Sequence, residues 1–184
     1  MYNRNVKQSQ KMRRYATAVI TVSDSCAQGL RKDLSGPAVV RELEAHGFDV
    51  IRQVTVADEV RLIEDALRHA AGEARLVVTT GGTGVGPRDV TPEATRAVCE
   101  RILEGVAELM RSEGRRETPM AILSRGVCGT RGASIVLNLP GSPAGAVSSL
   151  RAVTPVLPHA LDLVAGRTEH GTDAVEASGK VERS

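Results

Sequence analysis

Val77 to Thr95 reads Val-Val-Thr-Thr-Gly-Gly-Thr-Gly-Val-Gly-Pro-Arg-Asp-Val-Thr-Pro-Glu-Ala-Thr. Leu76 to Thr80 has the β-branched, apolar content of a buried strand, the glycines at 81, 82, 84 and 86 cannot prolong it, and Thr91-Pro92-Glu93 is a helix start. The order strand, glycine loop, helix N-terminus makes one β-α unit. Such a loop lets backbone N–H groups come close to a phosphate, because no Cβ obstructs the approach and glycine adopts positive φ. At its lip, Arg88 can fork onto phosphate oxygens and Asp89 can hold a divalent cation. Taken alone, the stretch points to a phosphate or nucleotide site.

Upstream, Ala16 to Ser23 is rich in β-branched residues and reads as the first strand. It runs into Ser23-Asp24-Ser25, a polar cluster at a strand's carboxyl end, where open α/β sheets place ligands. Ser35 is expected to cap a helix with Pro37 in its first turn, and Gly47 to stop it. Phe48 to Thr55 alternates as a strand near an edge. Asp58 precedes a helix carrying Leu62, Ile63, Ala66, Leu67 and Ala70 at helical spacing. Downstream, helices are expected from Pro92 to about Arg101 and from Gly105 to Ser112, with Gly114 to Thr118 as loop. Ser134 to Leu139 is a strand followed by the turn Pro140-Gly141-Ser142-Pro143, and Ala144 to Val153 and Leu157 to Ala165 are terminal helices.

Strands alternating with helices imply an α/β fold, a three-layer sandwich whose central sheet is mostly parallel and flanked by helices. Loops that follow parallel strands collect along one edge, so Ser23 to Ser25, Asp58, Gly81 to Asp89 and Pro140 to Ser142 are expected to meet there. The chain reads as a single domain over 15–166, with a basic, flexible arm at 1–14 and a disordered tail at 167–184.

The chain has 184 residues, 24 Lys and Arg against 22 Asp and Glu, no Trp, two Tyr and one Phe. That charge balance and dearth of stacking rings argue against nucleic acid as a partner. No apolar run approaches the roughly 20 residues of a membrane helix, so the reading is a cytoplasmic protein with no membrane contact. Cys26, Cys99 and Cys128 lack C-x-x-C spacing and read as reduced, mostly packing thiols. Two nucleotide patterns are excluded. Gly86 is followed by Pro87-Arg88 rather than the lysine of a Walker loop, and Pro87 occupies the third position past Gly84 where a dinucleotide fold needs glycine. His46, His69, His159 and His170 form no legible catalytic constellation and read as surface or packing.

Thr-Thr-Gly-Gly-Thr-Gly followed by Pro-Arg-Asp-Val-Thr-Pro-Glu-Ala-Thr, Val22-Ser23-Asp24-Ser25 upstream, and Leu-Ser-Arg at 123–125 with Leu-Asn-Leu-Pro-Gly-Ser at 137–142 downstream resemble the molybdenum cofactor biosynthesis family. The likeness runs from about Ala16 to Gly166 and is strongest to the MogA protein and the gephyrin G domain. It implies molybdopterin adenylyltransferase activity, in which AMP passes from ATP to the molybdopterin phosphate and pyrophosphate leaves, with Mg²⁺. A separate, MoeA-like insertase then adds molybdate. A homotrimer is implied too.

By the same resemblance, Asp58 and Asp89 are the catalytic carboxylates, and a role in holding Mg²⁺ and the triphosphate suits their hard oxygens. Thr80, Gly81, Gly82, Thr83, Gly84 and Arg88 fall on the nucleotide side. Ser23, Asp24, Ser25, Ser124, Arg125, Pro140, Gly141 and Ser142 fall on the molybdopterin and phosphate side. Several of these residues carry a second reading: Asp58 and Ser142 as helix caps, Asp24 with its serine neighbours as a turn, Arg88 and Arg125 as solvated charges. Asn138, in a buried strand, either orients a loop or touches ligand. A MoaB-like paralogue that binds without turnover and an oligomeric scaffold are the competing functions; the intact Arg-Asp-Val-Thr-Pro-Glu stretch weighs against the first.

Overall fold

A computed structural model describes residues 15–167. The arm expected at 1–14, the tail beyond Arg167, and His170 lie outside the described residues. The strands are β1 (Ala16–Val22), β2 (Asp49–Val56), β3 (Leu76–Thr80), β4 (Arg101–Ile102), β5 (Cys128–Arg131) and β6 (Ser134–Leu139). The helices are α1 (Asp24–Ala27), α2 (Ser35–Ala45), α3 (Val60–Glu73), α4 (Thr91–Val98), α5 (Glu104–Glu117), α6 (Pro143–Val153) and α7 (Leu157–Val164), with a 3-10 turn over Pro119–Leu123. The six strands form one sheet in the order β2-β1-β3-β6-β5-β4. The first four run parallel, and β5 and β4 add on antiparallel.

Both faces of the sheet are buried, as a parallel sheet requires. Side chains alternate between the two cores with the strand period of two. Leu76 and Val78 of β3 join Val39, Leu43, Leu150 and Leu161 from α2, α6 and α7, together with Met110 of α5. Val77, between them, points the other way, into a core with Ile63 and Leu67 of α3 and Ala94 and Val98 of α4. β2 is an edge strand, its residues alternating exposed and half-buried.

Four local expectations are corrected. Ser35 is the first helical residue of α2 and does not cap it; Asp33 does, accepting the Gly36 amide at 3.0 Å and the Ser35 hydroxyl at 3.2 Å. α4 stops at Val98, three residues short of Arg101, because Glu100 to Leu103 turns to pair with β5. α5 runs through Gly114 to Glu117 where a loop was expected. Gly114 is the point where the 3-10 turn packs against the helix, since a Cβ there would sit 2.9 Å from Ala121 Cβ. Strand β5, which the sequence reading lacked, forms a hairpin with β6; Gly132, at φ +52°, opens its two-residue turn.

Candidate active site

The first parallel strand to be laid down, β1, acquires β2 on one side and β3 on the other. Between β1 and β3 the chain reverses its direction of growth across the sheet, and the loops leaving those two strands diverge to opposite faces. Open α/β sheets bind ligands in the crevice this leaves at the strands' carboxyl ends. Val22-Ser23-Asp24 leaves β1 there, and Thr80-Gly81-Gly82 leaves β3.

The four expected segments do meet at this edge. The Ser23 amide donates to Val56 O at 2.9 Å, tying the ends of β1 and β2. The amide of Asp24 donates to Asp58 Oδ2 at 2.7 Å, and the amide of Asp58 returns a bond to Asp24 Oδ1 at 2.9 Å. Arg88 reaches from the glycine loop onto Asp24, Nη2 lying 2.8 Å from Oδ2 and 2.9 Å from Oδ1. On the other side, Thr80 Oγ1 donates to Pro140 O at 2.7 Å, and the Gly81 amide donates to Leu139 O at 3.2 Å. Gly141 abuts Gly81 so closely that a Cβ on it would lie 3.2 Å from Gly81 Cα. The two glycine-bearing turns are therefore in van der Waals contact.

The loop itself is braced from within. Gly81 has φ +104°, and a Cβ there would approach Val22 O to 2.2 Å, so this position excludes every side chain on two grounds. Gly82 lies between Thr91 and Asp58: a Cβ would fall 2.3 Å from Thr91 Oγ1 and 3.1 Å from Asp58 Oδ1. Asp89 folds back to accept the Gly86 amide at 2.8 Å. Thr91, which opens the expected helix start, donates its hydroxyl to Gly81 O at 2.9 Å. The first turn of α4 has no side-chain cap; the Thr91 amide donates to Gly82 O at 3.0 Å, and Pro92 has no amide hydrogen to offer.

Other candidates take structural partners. Arg125 donates Nε to Gly84 O at 2.6 Å, its Nη2 bonds Asp89 O, and its Nη1 pairs with Glu93. Its backbone amide donates to Thr83 O at 2.8 Å, so Arg125 clamps the glycine loop to α4. Glu93, read in sequence only as part of a helix start, is the partner that makes this clamp; the signal for it was a first-turn acid, a common helix feature that does not reveal a distant arginine. Ser124 Oγ accepts the Gly126 amide at 3.4 Å. Ser23 Oγ accepts the Cys26 amide at 3.3 Å and lies 3.2 Å from Ser25 Oγ, which makes the cluster the start of the single-turn α1. Ser142 is the N-cap of α6, accepting the Gly145 amide at 3.2 Å, and stays exposed. Asp58 is not a helix cap: α3 begins after Glu59, without a side-chain bond. Asn138 is 1% exposed. It accepts from Val127 N at 3.2 Å and donates to Thr79 and Thr95 hydroxyls at 3.0 and 2.9 Å, so its amide is spent on orienting β3, α4 and the segment before β5.

The electrostatics divide the acids. Partial burial pushes the Asp58 carboxyl above its ordinary range, reinforced by the nearby charges of Asp24 and Asp89 and opposed by the Asp24 amide and Arg88. Asp24 moves the opposite way: the Asp58 amide and then the Arg88 guanidinium hold its carboxyl below the usual carboxylate value. A half-buried acid with an unspent oxygen and a raised proton affinity favours an incoming cation. The thiols of Cys99 and Cys128 lie apart from this chemistry. Burial pushes Cys128 up to about 12 and Cys99 up to about 11, and the two pack in cores on opposite faces of the sheet. His46 and His69 contact Glu42 and Glu73 of their own helices.

The sequence profile described as a probable molybdopterin binding domain matches residues 18–159. A Helicobacter pylori J99 protein named molybdopterin adenylyltransferase is 43% identical over 152 residues, covering 80% of this chain and 86% of that one. An Escherichia coli K12 protein of the same name is 37% identical over 140 residues, covering 73% of this chain and 71% of the other. Among solved structures, the molybdopterin biosynthesis enzyme MoaB of Thermus thermophilus superposes with a TM-score of 0.78 at 50% identity, covering 83% of this chain and 97% of its own. The matched span contains all the segments gathered at the carboxyl edge, and on that extent of likeness the chain belongs to the family of probable molybdopterin-binding domains.

Proposed function

We propose that this protein is a molybdopterin adenylyltransferase. A terminal phosphate oxygen of molybdopterin attacks the α-phosphorus of ATP, the bond to the β-phosphate breaks, and pyrophosphate leaves. The observation that carries the reading is the contact between the two turns, Gly141 against Gly81, which sets two phosphate-compatible stretches of backbone side by side. A reaction that joins two phosphate-bearing substrates needs that adjacency more than it needs a protein nucleophile.

On this reading Thr80 to Gly84 and Arg88 hold the nucleotide, while Pro140, Gly141 and Ser142 hold the acceptor phosphate at the start of α6, with Ser23, Ser25 and Ser124 nearby. Ser142 can cap the helix and still leave neighbouring amides for an anion. Arg125 supports the loop from behind, since its guanidinium is engaged by Glu93 and two carbonyls. Asp58 and Asp89 would hold Mg²⁺, which neutralises triphosphate charge when bound. Among the described residues no cluster of three or more ligating side chains is placed to hold a metal by itself. Two carboxylates and the nucleotide's own oxygens suit a magnesium that arrives with ATP. Trimeric assembly, a cytoplasmic location and hand-over of the product to a MoeA-like insertase belong to the same proposal; light scattering of the purified protein tests the first.

The experiment that decides is turnover. Purified protein with ATP, Mg²⁺ and molybdopterin is expected to release pyrophosphate and form the adenylylated pterin. The second reading is a MoaB-like protein that binds pterin or nucleotide without turnover; the 50% identity to the Thermus MoaB structure supports the MoaB likeness alone. Stabilisation by either ligand with no pyrophosphate release would establish it and overturn the first.

A further inference from the structure

We propose that Asp24 is a positioning residue: it sets Asp58 and Arg88 relative to one another, joining the β1 end of the crevice to the nucleotide loop. The proposal rests on the adenylyl-transfer reading of the site. Asp24 and Asp58 exchange amide-to-carboxylate bonds across 34 residues of chain, 2.7 Å in one direction and 2.9 Å in the other. This closed pair fixes the Asp58 backbone and occupies Oδ2, leaving Oδ1 turned toward Gly82, where a Cβ would lie 3.1 Å away. The second partner of Asp24 is Arg88, whose Nε lies 3.1 Å from Oδ2 and whose Nη2 contacts both oxygens.

Both oxygens of Asp24 therefore accept from the protein, an arrangement suited to ordering neighbours and ill suited to gripping substrate. Arg88 is 61% exposed on a loop and would otherwise sample many rotamers. Its forked contact with Asp24 fixes the plane of the guanidinium and holds the loop's lip across the crevice. One carboxylate thus orients an acid on one wall and a cation on the other.

The test uses the full chain and the variants Asp24→Ala, Asp24→Asn, Arg88→Ala and Asp24→Ala/Arg88→Ala. Hydrogen–deuterium exchange is read over 56–60 and 81–89, melting temperature controls for folding, and kcat is separated from KM for ATP. Asp24→Ala is expected to raise exchange in both segments and to lower kcat about 10- to 100-fold, the scale of a misplaced reacting geometry. Asp24→Asn keeps an oxygen for the Asp58 amide, so 56–60 stays near wild type and most of kcat returns, while exchange over 81–89 and the KM for ATP rise as in Arg88→Ala. The double variant is expected to be no worse than Asp24→Ala alone, because Asp24→Ala already breaks the Asp24–Arg88 contact that Arg88→Ala removes. Unchanged exchange in both segments of Asp24→Ala, or strictly additive effects in the double variant, would overturn the proposal. If the wild-type protein releases no pyrophosphate, the adenylyl-transfer reading fails, and the exchange data still decide whether Asp24 orders the two walls.

Discussion

A single methyl group probes the glycine loop. Gly81→Ala would place a Cβ 2.2 Å from Val22 O at a φ of +104°, combining a clash with backbone that cannot yield and a conformation that L residues avoid. A loss of about 2 kcal/mol or more is expected from denaturant unfolding. Asp89→Asn asks a different question of the same loop. Asparagine keeps an oxygen for the Gly86 amide, now 2.8 Å from Asp89 Oδ2, so melting temperature should hold while pyrophosphate release is lost. Full activity in this variant would remove Asp89 from the chemistry. Asn138→Ala tests a residue whose amide is bonded within the protein: it strands the Val127 amide in a buried position, and a cost of about 1–3 kcal/mol is expected, with KM for either substrate unchanged in the folded fraction. Of these three residues, the glycine was legible in the sequence because it cannot prolong the preceding strand, and Asp89 because it stands at the lip of that loop in the motif that carries the family resemblance. The choice for Asn138 was not, since an amide's partners are set by strands and helices far away in the chain.

The elements were legible in proportion to how local their causes are. β1, β3 and β6 carry apolar, β-branched runs that must be buried on both faces, and α3 carries its stripe at helical spacing, so each was found near its observed limits. β5 was not found. Its Cys128-Gly-Thr-Arg is too short and mixed to have a period, and it is a strand because β6 and β4 offer it hydrogen bonds. Gly114 misled for a related reason: a glycine in a charged run reads as a break, but here it admits the turn over Pro119–Leu123 against α5. Burial at this scale has a measurable consequence. Leu67 is fully buried between α3 and the sheet, and Leu67→Ala is expected to cost about 2–5 kcal/mol. The exposed pair Arg52–Glu73, which joins the edge strand β2 to α3, should matter far less: Glu73→Gln is expected to change stability by under about 1 kcal/mol.

At the scale of the whole molecule, the sheet order creates the crevice and the helices keep its walls in register. Arg151 of α6 forks onto Glu42 of α2, both contacts at 2.8 Å, across the layer that covers one face of the sheet. The Arg151 guanidinium holds the Glu42 carboxyl below its ordinary value of 4.5, against a smaller opposing effect of burial. A depressed carboxyl contributes stability that is present above the unfolded-state value and lost as pH falls through the folded-state value. The difference in melting temperature between wild type and Glu42→Gln should therefore be constant near neutrality and shrink as pH drops below about 4.5. A difference independent of pH would assign the Glu42 contribution to packing.

The sequence by itself determined the α/β class, the principal strands and helices, and the glycine and acidic residues that mark the carboxyl edge, because periodicity, β-branching and turn chemistry act over a few neighbouring residues. Only the tertiary structure decided which of those residues bond to one another. Arg125 went to Glu93, Thr91 to Gly81, and Asp24 to Asp58 and Arg88, since each pair is joined by strand order and loop packing across 10 to 64 residues of chain. A hydrogen bond depends on where its two ends lie in space, and the reversal between β1 and β3 is what brings these ends together.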